Sequence, residues 1–267
     1  MPTIDVLIPT FSRPGALALT LAGLCAQDWR DFRVVVSSQD DENVVERTPE
    51  VQAMVRVLRH HGHEIVLRRH LPRRGLAEHR QSLLDNATAP FVLFLDDDVF
   101  LEPPVIGRMI RAIREAGCGF VGSAAIGLSY ADEVRPDEQE IELWEGPVSP
   151  ERVDRDSYAW QRHRLHNAAN LLHVQERFEL GGDEYRLYRV AWVGGCVLYD
   201  TAALREAGGF EFWTDLPPVH AGEDVLAQLR VMARRGGAGI LPSGAYHQEL
   251  PTTVPDRTYD APAVMGV

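Results

Sequence analysis

The feature that most constrains the fold is a regular alternation of short apolar strands and helices in the first 122 residues. Strands are predicted at residues 4–8, 32–38, 64–71, 91–95 and 118–122, with one helix in each interval and short connections. This alternation favours a twisted, largely parallel sheet that is covered by helices on both faces. Ligands of such sheets bind beyond the carboxyl ends of the strands, so the residues that follow each strand are the first candidates for a site.

The fourth strand, FVLFL, runs directly into Asp96, Asp97 and Asp98. Unit charges about 4 Å apart repel by roughly 1 kcal/mol in water, and by several times more beside an apolar core. We therefore expect a compensating cation, and hard divalent ions such as Mg²⁺ or Mn²⁺ prefer oxygen ligands. The structural alternatives are a solvated turn, or one aspartate that caps the helix beginning near Pro103. A second acidic pair, Asp40 and Asp41, follows the second strand and is expected at the same rim of the sheet.

The composition is that of a globular protein and excludes several classes of partner. The 267 residues are 45% hydrophobic and 25% charged, which suits one large α/β domain or two closely packed halves. A net charge of -12 argues against a general nucleic-acid binder. No apolar stretch approaches the roughly 20 residues that cross a bilayer, and the N-terminus lacks the pattern of a secretory signal. With three scattered cysteines, the expectation is a reduced cytoplasmic protein.

The chain contains no lysine, because all 27 of its basic residues are arginine. Codon usage is the simplest explanation of this bias. The chemical consequence is that P-loop NTPases, pyridoxal enzymes, Schiff-base aldolases and lysine-dependent kinases are excluded.

The alternation breaks down after Gly127. Residues 132–156 contain ten acidic residues and three arginines, which predicts a solvated and partly mobile insertion. Residues 157–178 are predicted to be helical. Five polar residues then share one helical face, which either is solvated or contacts a hydroxylated acceptor: His163, His166, Asn167, Asn170 and His173.

Three short motifs in the last third of the chain have both a structural and a functional interpretation. Glu223 and Asp224 open a predicted helix, where acidic residues commonly serve as caps. His247 follows the last strand, and a single histidine is more often structural than a metal ligand. Gly194 and Gly195 indicate either a tight bend or a close approach of the backbone to a ligand.

Four ordered stretches of the sequence resemble the family 2 glycosyltransferases of the GT-A fold: residues 4–43, 74–103, 192–210 and 222–237. The resemblance implies a Rossmann-like α/β fold with a mostly parallel central sheet, built as a single domain with donor and acceptor halves. Its parts would be a nucleotide-sugar half (1–126), an acidic insertion with an acceptor-facing helix (127–188), an acceptor and catalytic half (189–250) and an extended tail (251–267).

The resemblance also implies roles for residues that match the family's motifs. Pro9, Thr10 and Arg13 would form the nucleotide-binding loop, and either Asp40 or Asp41 would contact the base, although the family's aspartates follow the second strand more closely. Arg80, Asp96 and Asp97 would contact the donor, and Gly195 would approach its sugar. Asp98 and His247 would hold Mn²⁺ or Mg²⁺. Gln81 departs from the family, which usually has asparagine after the arginine.

The activity implied is a metal-dependent inverting transfer of a sugar from a nucleotide diphosphate to an acceptor hydroxyl or amine. Asp224 would be the catalytic base, and Glu223 would orient the acceptor or brace the site. Three alternatives remain open. A sugar-nucleotide pyrophosphorylase usually needs a lysine and a glycine-rich loop, and a haloacid-dehalogenase-type phosphatase needs threonine or valine where this chain has Phe100. The third is a non-catalytic module that binds a nucleotide sugar.

Overall fold

An eight-stranded sheet forms the centre of the computed structural model, which describes residues 2–182 and 184–267. The strands in chain order are β1 (Ile4–Thr10), β2 (Phe32–Ser38), β3 (Ile65–Arg69), β4 (Phe91–Leu95), β5 (Val99–Leu101), β6 (Phe120–Gly122), β7 (Arg186–Tyr188), β8 (Cys196–Asp200), β9 (Gly237–Leu241) and β10 (Ala245–His247). The sheet has the order β3-β2-β1-β4-β8-β6-β9-β7, and β5 pairs with β10 separately.

Strands β3, β2, β1 and β4 run parallel to one another, as the alternation of strands and helices predicts. β8 is antiparallel to both of its neighbours, β4 and β6, and β7 is antiparallel to β9. β6 and β9 are also parallel, so the predicted α/β architecture with a mostly parallel central sheet is confirmed. The second half contributes the antiparallel strands.

The helices lie between the strands: α1 (Pro14–Cys25), α2 (Val44–Arg47), α3 (Pro49–His60), α4 (Leu76–Asp85), α5 (Val105–Ala116), α6 (Asn170–Gln175), α7 (Thr201–Glu206), α8 (Glu223–Arg235) and α9 (Ala261–Val264). Short 3-10 helices cover Leu128–Tyr130, Pro136–Glu138, Tyr158–His166 and Glu211–Asp215. Within the described ranges, we find no helix with the length and apolar character needed to cross a bilayer.

The central strands β1 and β4 are mostly apolar because they bury side chains on both faces of the sheet. In β1, Ile4, Val6 and Ile8 join one core cluster, whereas Leu7 joins the cluster on the opposite face. The same alternation places Leu93 and Leu95 of β4 with the first cluster. Parallel sheets that are covered on both faces produce such continuous apolar runs. The core consequently fixes the strand ends, and with them the residues that follow.

The helix predicted at residues 157–178 is wrong in its extent. The chain forms the 3-10 helix Tyr158–His166, turns through Ala168 with φ +52, and continues as the short helix α6. The five polar side chains do not share a solvent-facing surface. His163 stacks on Trp192 and His166 hydrogen-bonds to the Tyr188 hydroxyl at 2.9 Å. Asn167 and Asn170 donate to Glu138 at 3.2 and 3.1 Å, and the His173 ring lies 2.7 Å from the Ala131 carbonyl, so contacts within the protein engage all five residues.

The acidic insertion is not simply solvated, because arginines from later segments pair with its carboxylates. Arg162 donates to Glu142 at 2.7 Å and to Glu151 at 2.8 Å. Arg189 also donates to Glu151, at 3.2 Å. A count of charges along the sequence could not reveal this, because the pairing arginines lie outside the acidic stretch.

Candidate active site

A cavity of about 970 Å³ opens at the carboxyl ends of β1, β2 and β4. This volume is typical of sites for small molecules and cofactors. Most of the residues predicted for the site line this one cavity: Pro9, Thr10, Arg13, Arg80, Asp96, Asp97, Asp98, Glu223, Asp224 and His247. The fold brings together groups that are up to 238 residues apart in the sequence because the strand ends converge at one rim.

Each of the three aspartates after β4 has a different partner. Asp96 accepts a hydrogen bond from Arg80 at 2.8 Å, and Asp98 accepts one from Arg13 at 2.5 Å. Asp97 points toward Thr10, whose hydroxyl donates to it at 2.6 Å, and burial raises the pKa of Asp97 to about 7. Two arginines thus compensate part of the charge that the sequence concentrates here.

Arg80 connects the helices α4 and α8 through a buried ion-pair network. Its Nε donates to Glu223 at 3.0 Å while its terminal nitrogen contacts Asp96. Arg80 is 5% exposed and Glu223 is 3% exposed. Burial raises the pKa of Glu223, although the adjacent arginine opposes that shift. A planar guanidinium suits this role, because it can contact two carboxylates at once.

Asp224 lies at the start of α8, beside this network. Gly222 adopts φ +76 as the N-cap, and the two acidic residues occupy the first turn, where the helix dipole favours negative charge. Even so, burial and then the charge of Glu223 raise the pKa of Asp224 to about 7, while Arg80 opposes the shift. A carboxylate with such a pKa is suited to accept a proton near neutral pH.

Asp98 and His247 are the groups that fit a divalent cation best. Nε2 of His247 lies 3.5 Å from Oδ2 of Asp98, so both atoms could contact one ion. Nδ1 of His247 accepts a hydrogen bond from the Glu249 amide at 2.8 Å, which leaves the ring proton on Nε2. Ligation by His247 would therefore need the other tautomer, whereas Asp98 needs only to exchange its contact with Arg13. Within the described part of the chain, no three His, Cys, Asp or Glu side chains form a metal site by themselves.

Three of the predicted site residues do not line the cavity. Asp40 is buried and accepts hydrogen bonds from the amide and hydroxyl of Ser12 and from the hydroxyl of Ser38. Asp41 faces Arg73 at 3.4 Å, with 75% of its side chain exposed. Gly195 has φ +81, and its carbonyl accepts from the Asp96 amide at 2.8 Å. Gly195 thus holds the chain at the end of β4 in place.

Gln39, which the sequence analysis did not single out, lines the cavity instead of the two aspartates that follow it. Its position after β2 was the available signal, since every residue beyond a strand end is a candidate. Gln39 was passed over because the two residues that follow it, Asp40 and Asp41, are charged and were preferred as candidates.

His220, which was not predicted from the sequence, connects the loop before α8 to the start of α4 through two hydrogen bonds. Its Nδ1 donates to the Pro217 carbonyl at 2.7 Å, and its Nε2 accepts from the Ala77 amide at 3.1 Å. Burial lowers the pKa of this histidine, so the neutral form that can accept is favoured. Gly75 permits the approach, because a Cβ there would lie 2.5 Å from the His220 ring.

The segment that follows β10 runs along the cavity rather than away from it. Leu250 and residues 252–257 line the cavity, and the Arg13 guanidinium donates to the Pro251 carbonyl. Beyond them, the Ala221 amide donates to the Tyr259 carbonyl at 2.9 Å, and the chain ends in α9. The tail predicted to be extended therefore ends in a helix that is hydrogen-bonded to the loop before Glu223.

The sequence matches a known family and is similar to two characterised proteins. The profile described as glycosyl transferase family 2 matches residues 5–175. The succinoglycan biosynthesis protein ExoM of Rhizobium meliloti is 32% identical over 121 residues, which are 44% of this chain and 37% of that protein. The GalNAc(5)-diNAcBac-PP-undecaprenol beta-1,3-glucosyltransferase of Campylobacter jejuni is 25% identical over 130 residues, 47% of this chain and 39% of that enzyme. The match therefore spans less than half of either relative.

Solved structures support the GT-A fold. S. aureus TarS 1-349 in complex with UDP-GlcNAc superposes with a TM-score of 0.59 and 15% identity over 94% of this chain and 60% of that one. The mannosyltransferase PcManGT of Pyrobaculum calidifontis, in complex with GDP-Man and Mn²⁺, superposes with a TM-score of 0.52 and 16% identity. The superposition covers 89% of this chain and 56% of that one. At this level of identity, the similarity is evidence for the fold alone, and it agrees with the expected architecture.

Proposed function

The chain belongs to glycosyl transferase family 2, and we propose that it transfers a sugar from a nucleotide diphosphate donor to a hydroxyl or amine of an acceptor. The observation that supports this most directly is the position of Asp224. This carboxylate, with its raised pKa, lines the same cavity as the acidic cluster and the arginines at the strand ends. A proton acceptor and a cationic anion-binding region are the two components that such a transfer requires.

In the proposed reaction, Asp224 accepts the acceptor's proton while the acceptor oxygen or nitrogen attacks the anomeric carbon. The bond from that carbon to the diphosphate oxygen breaks, and the nucleoside diphosphate leaves with the electron pair. One displacement at the anomeric carbon inverts its configuration. Arg80 holds Glu223 and Asp96 on either side of its guanidinium, and this arrangement keeps the start of α8 close to the end of β4.

The diphosphate is proposed to lie against Arg13 and a Mn²⁺ or Mg²⁺ ion held by Asp98, with His247 as a second ligand in its other tautomer. When bound, such an ion supplies positive charge for the departing diphosphate. Arg13 can exchange its carboxylate contact for a phosphate oxygen, because a guanidinium pairs with either group. Asp97 accepts a hydrogen bond from Thr10 at 2.6 Å through one oxygen, and its other oxygen lies 3.6 Å from the Arg13 guanidinium.

Asp98→Asn should remove most of the gain in nucleotide affinity that Mn²⁺ provides. His247→Asn should cost less, because in this arrangement His247 must first exchange its hydrogen bond with Glu249. Calorimetric titration of UDP and GDP, with Mn²⁺ and with EDTA, measures both effects. We expect Asp98→Asn to lose at least about tenfold, because loss of even an outer-shell partner of a metal ligand has an effect of that size. If Mn²⁺ strengthened binding equally in Asp98→Asn and in the unmodified protein, Asp98 would not be the ligand.

The pH dependence of transfer should report the ionisation of Asp224. Because this group must be deprotonated to accept a proton and its pKa is raised to about 7, kcat/KM should fall as the pH drops below that value. Glu223→Gln removes a negative neighbour that raises the pKa, so the acidic limb of the profile should move to lower pH. Transfer rates measured from pH 5 to pH 9 test both expectations. An acidic limb that stays in place in Glu223→Gln would contradict the proposed coupling.

A panel of nucleotide sugars with candidate acceptors tests the proposed function itself. The complexes of TarS with UDP-GlcNAc and of PcManGT with GDP-Man make these two donors the first to include. We expect release of nucleoside diphosphate together with a glycosylated product, whose anomeric configuration by NMR is opposite to that of the donor. Consumption of pyrophosphate would instead identify a pyrophosphorylase. Binding of a donor with neither transfer nor donor hydrolysis would identify a non-catalytic module.

A further inference from the structure

Trp192 brings an aromatic ring into the wall of the cavity that also contains Asp224. The residue lies in the segment between β7 and β8, is partly exposed and lines the cavity. The rest of its side chain packs against the apolar core. Large aromatic side chains that are half exposed in a ligand cavity commonly supply contact area for the ligand, so the role of this ring follows from its position and surroundings.

The backbone beside Trp192 is held against helix α8, one turn from Asp224. The Val193 amide donates to Oε1 of Gln228 at 2.7 Å, and Nε2 of Gln228 donates to the Val193 carbonyl at 2.8 Å. Gln228 is fully buried and follows Asp224 by four residues, which places it about 6 Å along the same face of the helix. The indole is thus held close to the proposed catalytic base, at a distance comparable to the width of one sugar ring.

Two other rings hold the indole without enclosing it. The ring of His163 lies parallel to that of Trp192, with a centroid distance of 4.9 Å, and the Trp160 centroid lies 4.8 Å from it at an interplanar angle of 53°. The centroids of His163 and Trp160 are only 6.4 Å apart, whereas two rings on opposite faces of the indole would be almost twice as far from each other as from it. The part of Trp192 that lines the cavity is therefore a supported aromatic surface that these rings do not sandwich.

The charges near Trp192 favour a neutral, hydroxylated ligand. Glu223 and Asp224 bring carboxylates to this part of the cavity, and the guanidinium of Arg80 is already paired with Glu223 and Asp96. Hydroxyl groups donate to carboxylate oxygens, whereas a phosphate would be repelled by them. A pyranose has such hydroxyls at its edge and an apolar face of C–H groups that can pack on an aromatic ring.

We propose that the acceptor is a carbohydrate and that Trp192 binds it, with the indole against the C–H face of the sugar ring that reacts. The ring then reaches from the indole to the carboxylate of Asp224, which receives the proton of the attacking hydroxyl or amine. Trp192 sets the specificity for the acceptor and takes no part in the bond changes. The proposal rests on the proposed function, because it assigns a chemical class to the acceptor of that transfer.

Saturation-transfer difference NMR tests this contact without requiring turnover. The probes are the methyl α- and β-glycosides of glucose, galactose, mannose and N-acetylglucosamine, each with UDP or GDP and Mg²⁺. We expect at least one glycoside to receive saturation, most strongly at the C–H protons of one ring face. Trp192→Leu should remove most of this signal, whereas Trp192→Phe should retain most of it because it keeps an aromatic face. Trp213→Leu is the matched control, since Trp213 is also partly buried against the core but lies outside the cavity.

Kinetics of transfer to the same glycoside provide a second measurement. Trp192→Leu should raise the KM for the acceptor by about tenfold or more, as truncation of a central aromatic contact does, and Trp213→Leu should leave it unchanged. Calorimetric affinity for the nucleoside diphosphate should be the same in both variants and in the unmodified protein, which also shows that they are folded. If Trp192→Leu lost nucleotide affinity, Trp192→Met, which fills more of the volume of the indole, would take its place in both measurements.

Four results would overturn the role of Trp192 and leave the donor half of the proposed function intact. The first is nucleotide binding with no saturation of any glycoside, and the second is transfer to a peptide containing serine and lysine but to no glycoside. The third is an unchanged signal in Trp192→Leu, and the fourth is an equal loss in Trp213→Leu, which would indicate a general effect on the fold. An equal loss in Trp192→Phe and Trp192→Leu would contradict the contact through the ring face. If no nucleotide bound to the unmodified protein, the proposed function and the role of Trp192 would fail together.

Discussion

Asp224→Asn is expected to lower kcat by about 10²- to 10⁴-fold, the range typical of a lost general base, while the donor binds almost as before. Asparagine has nearly the same shape as aspartate, but its amide cannot accept the acceptor's proton. The diphosphate is proposed to lie against Arg13 and the ion held by Asp98, and not against Asp224. Donor affinity should therefore be insensitive to this change.

The measurement pairs the rate of nucleoside diphosphate release with calorimetric titration of the same donor. Asp215→Asn is a suitable control, because Asp215 is exposed and lies outside the cavity. A loss of donor affinity as large as the loss of rate would move Asp224 from the role of base to that of a donor ligand. Full activity in Asp224→Asn would remove it from the mechanism.

Arg80→Met is expected to lower the free energy of unfolding by about 3 kcal/mol, because it leaves the buried carboxylate of Glu223 and the partly exposed one of Asp96 without their cation. Glu223 is almost fully buried and contacts Arg80 at 3.0 Å, and Asp96 contacts it at 2.8 Å. Methionine fills a similar volume and keeps the apolar contact with the Phe94 ring, over which the guanidinium lies. The change therefore isolates the electrostatic part of the interaction.

Urea unfolding at pH 8 and at pH 5 measures the effect and tests its cause. Burial already raises the pKa of Glu223, and losing Arg80 would raise it further. A carboxyl whose pKa is raised in the folded state binds protons more readily there than in the unfolded state, so lowering the pH stabilises the folded variant. The loss of free energy of unfolding caused by Arg80→Met should therefore be smaller at pH 5 than at pH 8. Arg56→Met, at an exposed helix position, should change stability by no more than about 0.5 kcal/mol. An equal loss at both pH values would mean that packing, not charge, explains the effect.

The distribution of cations around the acidic triplet illustrates the limit of sequence reasoning at this site. The run FVLFLDDD predicted a strand end with crowded negative charge, and the structure has both. The crowded charge predicted compensation by a divalent ion, whereas Arg13 already contacts Asp98 and Arg80 contacts Asp96. These arginines come from α4 and from the loop before α1. Their distance from the aspartates depends on how the helices cover the sheet.

The helix predicted at residues 157–178 failed for a related reason. The spacing of its polar residues is compatible with one helical face, but His163 finds a stacking partner in Trp192 and His166 finds the Tyr188 hydroxyl. Tyr188 ends β7, and Trp192 lies in the segment that connects β7 to β8. Long-range contacts of this kind outweigh a local preference for helix, which is worth only a few tenths of a kcal/mol per residue.

The sequence by itself determined the parallel half of the sheet and the rim at which the site lies. Strand and helix periodicity are local properties, and consecutive parallel strands bring their carboxyl ends to the same edge. Only the tertiary structure decided which side chain after β2 lines the cavity, which arginine contacts which aspartate, and that the tail returns to the loop before Glu223. Those outcomes depend on the direction of each side chain and on contacts between distant segments. A shift of one residue along a strand or loop turns a side chain from the cavity into the core, and no local pattern encodes that choice.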